Sequence, residues 1–309
     1  NNGKTEIYIS LVDSYTEGGV IIPSSYTSSG KTYNITKIGD NAFENCVLIT
    51  DVKLPSTVTT LGDGAFYNCT NLRNINLNYV TNLGIQCFSR CENLQSVTLT
   101  KVKEIKPQTF AFCYNLQTIN LPEVSIVGDR AFFFCVGLES VISGNLKTIQ
   151  NEGFANCYKL KNINLNTVTT LGTMESSTNV NAKFTGSVFE NCYELGNFVY
   201  LANIINLGGQ LFSGSGVENL VLGRNFNFYS ENYLYRPTDE TITIYGYSNT
   251  FAQTYANRYS YNFVALDIFS LNNNVELTRT CYENDECILQ INAKGLNLKY
   301  QWYSYNGSD

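Results

Sequence analysis

The stretch from Leu61 to Leu77 reads LGDGAFYNCTNLRNINL, and the chain repeats this pattern along most of its 309 residues. Its phenylalanine recurs every 22 or 23 residues, with one longer step of 35 residues, at Phe43, Phe66, Phe88, Phe110, Phe132, Phe154, Phe189 and Phe212. A period of roughly 20–50 residues is typical of a solenoid, in which successive coils stack on one another. A solenoid presents an extended surface, so the sequence predicts architecture more directly than it predicts a ligand.

Other positions recur together with the phenylalanine. A cysteine follows it by three residues at Cys46, Cys69, Cys91, Cys113, Cys135, Cys157 and Cys192. Six coils place a glycine directly after an apolar pair, whereas Lys106 and Gln150 occupy that position in the other two. This glycine indicates a sharp corner, for which a positive φ is one explanation. The end of each repeat, as in Asn74–Leu77, alternates polar and apolar residues, which is typical of a half-buried strand.

We interpret each repeat as one coil that contributes a strand to a parallel sheet. Parallel strands lie about 4.8 Å apart, so we expect equivalent side chains to stack, phenylalanine over phenylalanine and cysteine over cysteine. One coil cannot bury its own apolar edge, and the terminal coils therefore need caps.

These motifs resemble the BspA-type leucine-rich repeats of bacterial cell-surface proteins, which read approximately V-x-x-I-G-x-x-A-F-x-x-C-x-x-L-x-x-V-x-L-P. The resemblance covers residues 33–222, as in Ile38–Cys46, and the chain departs from it at Lys106, Gln150 and Ser215 and in an expanded seventh coil. It implies an α/β repeat solenoid, a right-handed leucine-rich-repeat coil with a parallel sheet and about eight 22-residue repeats. It also implies a surface-exposed, non-catalytic protein that functions in binding or adhesion.

The segments around the repeats are predicted from their patterns. Residues 1–32 are irregular and are interpreted as an N-terminal cap. A polar insertion at about 173–186 is either a recognition loop or a tolerated excursion. Residues 223–266 are predicted to form a C-terminal β-α-β cap, in which Asn249 caps a helix. Phe251, Tyr255 and Tyr259 would share one face of that helix.

The last segment does not follow the repeat. Residues 267–274 are interpreted as a linker, and residues 275–309 resemble the first strands of a bacterial immunoglobulin-like domain, with Trp302 as the core tryptophan. A complete sandwich needs about 100 residues, so this would be a partial all-β immunoglobulin-like segment.

Composition excludes several classes of function. The formal net charge is −6 and the isoelectric point is about 4.9, without a basic run, which argues against nucleic-acid binding. The chain has no histidine, so catalytic triads with a histidine base and histidine-ligated zinc are excluded. No apolar run reaches the roughly 18 residues of a membrane span.

We find no catalytic motif, and we expect neither a cofactor nor a metal ion. Some solenoids cleave polysaccharides with paired carboxylates, but the predicted outward strand positions carry few acids, Asp51 and Glu139. Four coils separate these two residues, about 19 Å at the strand spacing, whereas a catalytic pair lies within about 10 Å. The sequence therefore predicts a protein that is not an enzyme.

The ten cysteines fall into two groups. Seven are at the recurrent position, and Cys87 precedes Phe88 within the same repeats. Stacked cysteines have parallel Cα–Cβ bonds, which leaves their Cβ atoms farther apart than the roughly 3.8 Å of a disulfide. We expect buried, reduced thiols that pack as small apolar groups. Cys281 and Cys287 flank a polar turn, where a local disulfide would fit an oxidising compartment.

The candidate binding surface is the outer face of the predicted sheet. It consists of two rows, which begin at Asp51 and Lys53. The candidate site residues continue them, with Asn74, Ser96, Thr118, Ser140 and Asn162 in the first row and Asn76, Thr98, Asn120, Ile142 and Asn164 in the second. Their side chains could hydrogen-bond to one another along the stack and have a purely structural role. The alternative is a shallow platform for a protein or glycan, of modest affinity because it lacks charged and aromatic anchors.

The resemblance implies an extracellular or cell-surface protein, and we expect it to be a monomer. Two functions stay open. One is adhesion to a protein or glycan of a host or neighbouring cell, and the other is a structural spacer that projects another domain from the cell envelope.

Overall fold

The computed structural model describes residues 6–174, 184–201, 203–207, 211–224, 226 and 242–266. The predicted linker at 267–274, the immunoglobulin-like segment at 275–309 and the pair Cys281 and Cys287 lie outside the described residues. Most of the insertion predicted at about 173–186 also lies outside them.

The elements are short and are numbered in chain order. The first twelve strands are β1 (Glu6–Ile9), β2 (Gly18–Ile21), β3 (Ser25–Ser28), β4 (Lys31–Ile38), β5 (Ile49–Lys53), β6 (Thr60–Leu61), β7 (Asn74–Ile75), β8 (Asn82–Leu83), β9 (Ser96–Thr98), β10 (Glu104–Ile105), β11 (Thr118–Leu121) and β12 (Ile126–Val127). The remaining elements are β13 (Ser140–Ser143), β14 (Thr148–Ile149), β15 (Asn162–Ile163), β16 (Thr170–Leu171), β17 (Thr173–Met174), β18 (Phe184–Thr185), β19 (Phe198–Leu201), β20 (Asn206–Leu207), β21 (Asn219–Leu222), β22 (Thr243–Gly246), α1 (Phe251–Tyr259) and β23 (Asn262–Ala265).

Most strands form two rows along the solenoid, which confirms the predicted parallel coil. The row called the sheet face has the strand orders β2-β5-β7, β9-β11-β13-β15 and β19-β21-β22-β23. The second row has the orders β1-β4-β6-β8 and β10-β12-β14-β16-β20. Two hairpins, β3–β4 and β17–β18, are antiparallel. Because β22 continues the sheet face beyond the predicted repeats, the coil makes about nine turns.

Helix is a minor component of this fold. Helix α1 is the one α-helix in the described part of the chain, and the coils consist of turns and short strands. The molecule is therefore a parallel-sheet β-solenoid with little helix, rather than a balanced α/β structure.

The interior consists of stacked equivalent side chains, as predicted. The rings of the eight recurrent phenylalanines stack in sequence order, with centroid distances of 4.8–5.8 Å and interplanar angles of 16° or less. The recurrent cysteines are fully buried beside them. Apolar burial therefore continues from coil to coil, and it supplies the main stabilisation of strands that are too short to be stable alone.

The five residues centred on each recurrent phenylalanine, here called the Phe turn, have an alternating backbone. The residues two before and two after the phenylalanine have positive φ wherever they are described, as at Asn41 (54°) and Asn45 (60°). Alternate N–H groups consequently face the next coil, and Phe43 N–H donates to Ala65 O at 2.8 Å. Equivalent bonds join every pair of coils up to Phe212, and Phe154 N–H donates to Val188 O across the insertion at 2.9 Å.

The recurrent glycine has a steric role. Of the described members, Gly172 has a positive φ (86°), whereas the others do not, so the positive-φ explanation is wrong for most coils. A Cβ atom at Gly84 would clash with backbone atoms of Gly62 and Asp63, and one at Gly128 would lie 2.8 Å from the carbonyl oxygen of Ile105. Glycine is favoured here because consecutive coils approach closely at this corner.

The C-terminal end of the described chain contains α1 between the parallel strands β22 and β23. Thr250 is the N-cap residue, without a side-chain capping bond, so the prediction that Asn249 caps the helix is wrong. Asn249 has a φ of 57°, and its backbone N–H donates to Gln253 Oε1 at 2.7 Å. Tyr255 is buried, but Phe251 is half exposed, so the predicted aromatic face is only partly packed.

Candidate binding site

The predicted rows lie on the outside of the sheet face. Strand register joins Asp51 to Asn74, Ser96 to Thr118, Thr118 to Ser140 and Ser140 to Asn162 in the first row, and Thr98 to Asn120 and Asn120 to Ile142 in the second. Val97, Ile119 and Val141, between the rows, are buried. The outward placement of the rows is confirmed, and their role in binding stays a prediction.

Some of these side chains are engaged within the fold. The side-chain amide of Asn76 accepts a hydrogen bond from Leu54 N–H at 2.7 Å and donates one to Leu54 O at 2.9 Å. It therefore satisfies the backbone of Leu54 in the way that a neighbouring strand would. Asn74 donates to Asp51 Oδ1 at 2.7 Å, which is the expected bond along the stack. Asn164 accepts the backbone N–H of Asn166 at 3.0 Å. Asn76 therefore has a structural role whether or not it also meets a ligand.

A concave depression of about 680 Å³ lies at the N-terminal end of the sheet face and is called the N-terminal depression. It is lined by Gly19, Val20, Ile21, Asp51, Val52, Lys53, Asn74, Ile75, Asn76, Leu77, Asn78, Ser96 and Thr98. Four of the predicted site residues therefore share one concavity. The depression spans the point where the strand order stops at β7 and starts again at β9. The repeat pattern does not reveal this interruption, because the coil around Phe88 matches the pattern as well as its neighbours do.

The charges in the N-terminal depression compensate one another. Hydrogen bonds from Asn74 and Thr50 lower the pKa of Asp51, which keeps its carboxylate ionised at neutral pH. Lys53 is the next outward residue of the same strand and has the opposite charge. The other polar lining residues are amides and hydroxyls, so the depression can donate and accept hydrogen bonds without a net charge.

A smaller depression of about 190 Å³, called the C-terminal depression, lies at the second interruption of the sheet face, between β15 and β19. Asn164, Asn166, Gly196 and Tyr200 are among its lining residues. Both depressions thus occur where successive strands do not pair, which single-coil patterns do not show.

The recurrent thiols are inert. Cys69, Cys91, Cys113, Cys135, Cys157 and Cys192 each donate from Sγ to the carbonyl oxygen of the phenylalanine in the preceding coil at 3.0–3.2 Å. The eight described cysteines are free and buried, as predicted. Burial raises the pKa of Cys192 to about 12, so its thiol stays protonated and is a poor nucleophile.

The described residues contain no group of three or more metal-ligating Cys, Asp or Glu side chains. In the same part of the chain, no helix has the length and hydropathy to cross a membrane.

The family model of the BspA type leucine rich repeat region matches in six copies, at residues 36–161, 81–183, 127–238 and 182–308. These ranges cover most of the chain, and the protein therefore belongs to this family of leucine-rich-repeat proteins. The last range includes most of residues 275–309, so the immunoglobulin-like segment stays a prediction that the match does not support.

Several solved structures are similar to this chain. A leucine rich cell surface protein from Faecalibacterium prausnitzii is 18% identical, covering 80% of this chain and 87% of its own, with a TM-score of 0.46. The T. pallidum Leucine Rich Repeat protein is 26% identical, covering 58% and 78%, with a TM-score of 0.49. A leucine-rich repeat protein from Eubacterium ventriosum is 24% identical, covering 65% and 44%, with a TM-score of 0.45. A comparison with curated proteins gives no match.

Proposed function

We propose that the protein is a non-catalytic binding module for adhesion at a bacterial cell surface, and that it binds a protein or glycan through the sheet face. The observation that carries the proposal is the N-terminal depression. It gathers six outward residues of three successive coils into one concave site, namely Asp51, Lys53, Asn74, Asn76, Ser96 and Thr98. A spacer does not need such a site.

The rest of the sheet face supports the same proposal. Its outward residues are short and polar, and Ile142 is 54% exposed in the middle of the second row. An extended surface of this kind suits a macromolecular ligand, because many weak contacts can act together over the coils. Membership of the leucine-rich-repeat family supports a binding role and the extracellular location that we propose. We also propose that the module acts as a monomer.

The test is binding of the immobilised chain to an array of extracellular-matrix proteins and glycans. We expect saturable binding to at least one ligand, and we expect Ile142→Lys to weaken it at least fivefold, because a charge would enter the contact surface. Ile205→Lys is the matched control, since Ile205 is also exposed (44%) but is outside the sheet face. Complete absence of binding would favour the spacer, and equal losses for both variants would place the binding surface elsewhere.

A further inference from the structure

The chemistry of the N-terminal depression points to one class of ligand. We infer that it binds a neutral oligosaccharide, an inference that rests on the proposed binding function. Its volume of about 680 Å³ is within the roughly 300–1,000 Å³ that is typical of small-ligand sites.

Three polar side chains of the depression are uncommitted. The side chains of Asn78, Ser96 and Thr98 line the depression and have no hydrogen-bond partner among the residues that the structure describes. The amide and the two hydroxyls can each donate and accept. Sugar hydroxyls have the same dual capacity, so a saccharide can pair with all three groups. A ligand without hydroxyls would leave them desolvated and unpaired, which is costly.

The charges of the depression are balanced. Asp51 is ionised and Lys53 opposes it on the same strand, so neither an anionic nor a cationic chain gains net attraction. Both charged groups can still form charge-assisted hydrogen bonds with neutral hydroxyls. A neutral saccharide is therefore favoured over uronic-acid or sulfated polymers.

The types of lining residue favour a saccharide over a protein. Protein-binding hot spots are enriched in tryptophan, tyrosine and arginine, and the thirteen lining residues include no aromatic residue and no arginine. The lining residues come from β2, β5, the β7 coil and β9, so the depression crosses about three strand spacings, or about 14 Å. This length suits several linked sugar units better than one. Ile21, which is 75% exposed, adds an apolar wall for the C–H faces of sugar rings.

Two glycines provide a matched pair of variants. Gly19 lines the N-terminal depression and Gly196 lines the C-terminal depression. A Cβ atom at either position meets nothing within 4 Å, and neither residue has positive φ, so both accept a side chain without backbone strain. Gly19→Trp should fill the N-terminal depression, whereas Gly196→Trp adds the same side chain at a distant place.

The probes are cellohexaose, laminarihexaose, mannohexaose and xylohexaose, with hexagalacturonate as the charged comparison, and binding is measured by saturation-transfer NMR and titration calorimetry. We expect at least one neutral hexamer to bind the unaltered chain. Gly19→Trp should weaken its affinity at least tenfold, Thr98→Val should weaken it about three- to tenfold by removing one hydroxyl, and Gly196→Trp should have no effect.

Three results would overturn the inference. The first is that no neutral hexamer binds, and the second is that hexagalacturonate binds more tightly than the neutral hexamers. The third is that Gly19→Trp binds the saccharide with the same affinity as the unaltered chain. The array of proteins and glycans described above then shows which proposal has failed. A protein ligand that still binds the unaltered chain would leave the proposed function intact, whether or not Gly19→Trp abolishes that binding. Absence of both protein and saccharide ligands would remove the proposed function as well.

Discussion

At the residue scale, the recurrent cysteine is a hydrogen-bond donor as well as a small apolar group. Cys113 Sγ donates to Phe88 O at 3.2 Å, and the same oxygen accepts Cys91 N–H at 3.1 Å. We predict that Cys113→Ala lowers the free energy of unfolding by about 1–3 kcal/mol, because it removes this bond and leaves a small cavity. Urea unfolding followed by circular dichroism measures the change.

The first coil offers the control for this prediction. Cys46 is equally buried, but its Sγ lies 3.7 Å from Asp13 O, so its hydrogen bond is weaker. Cys46→Ala should therefore cost less than Cys113→Ala. Equal costs would mean that packing volume alone explains the recurrent cysteine.

Burial of these residues is predictable from sequence, but their hydrogen bonds are not. The period of 22 residues places Phe over Phe and Cys over Cys, which the ring distances and the buried thiols confirm. The acceptor of each thiol is a carbonyl of the preceding coil, and its direction depends on the alternating φ angles of the Phe turn. Asparagine and glycine are frequent at these positive-φ positions, but Phe112 (62°) and Phe134 (58°) also occupy them, so residue type alone does not reveal the conformation.

At the scale of the element, the Phe turn combines several kinds of stacked contact. Asn68 donates to Asn45 Oδ1 at 2.8 Å in the early coils, and Asn191 donates to Asn156 Oδ1 at 2.8 Å in the late ones. Between them, Phe112 and Phe134 occupy the same position and their rings stack at 5.8 Å. Hydrogen bonds between side-chain amides and stacking of aromatic rings therefore both join neighbouring coils at this position. This explains why the residue type varies while the backbone conformation does not.

The stack of buried thiols should make the free energy of unfolding decrease at alkaline pH. Burial raises the pKa of Cys46 to about 11 and of Cys192 to about 12, and it raises those of Cys91, Cys113 and Cys157 well above the usual value. Unfolded thiols ionise near pH 8.5. Because the folded pKa values are higher, this stability is complete below about pH 8.5 and is lost as the pH rises through 11–12. We predict a nearly constant urea midpoint from about pH 6 to 7.5, and a fall that begins near pH 8.5 and becomes steep above about pH 9.

A variant tests whether the thiols cause this fall. The triple change Cys113→Ala, Cys135→Ala and Cys157→Ala removes three titrating groups and leaves every tyrosine and lysine in place. Its midpoint should be lower at pH 7 but should decline less steeply between pH 9 and 11. Parallel declines in both proteins would assign the alkaline loss to other groups.

At the scale of the whole molecule, the sequence predicts the coil and its outward rows, but not the interruptions of the sheet face. Strand pairing stops between β7 and β9 although both coils match the repeat, and Asn76 bonds to the backbone of Leu54 beside that gap. Such a gap arises from small differences between neighbouring coils, which a one-coil consensus averages out. The outward position of each candidate residue is therefore predictable from the repeat, whereas the concavity that joins four of them is not.

Hydrogen bonds of the Phe turns continue across the gaps in the sheet face. Phe66 N–H donates to Cys87 O at 2.8 Å across the junction where β7 and β9 do not pair. Repeat proteins gain much of their stability from contacts between neighbouring coils, so exchange of amide hydrogens reports each junction locally. We predict that the amides of Phe66, Phe88 and Phe110 exchange among the slowest in the chain, and that those of residues 96–98 exchange at least tenfold faster. Residues 118–121, in a strand paired on both sides, are the internal comparison. Similar protection of residues 96–98 and 118–121 would show that the interruption does not weaken the sheet face, and the N-terminal depression would then be a rigid site.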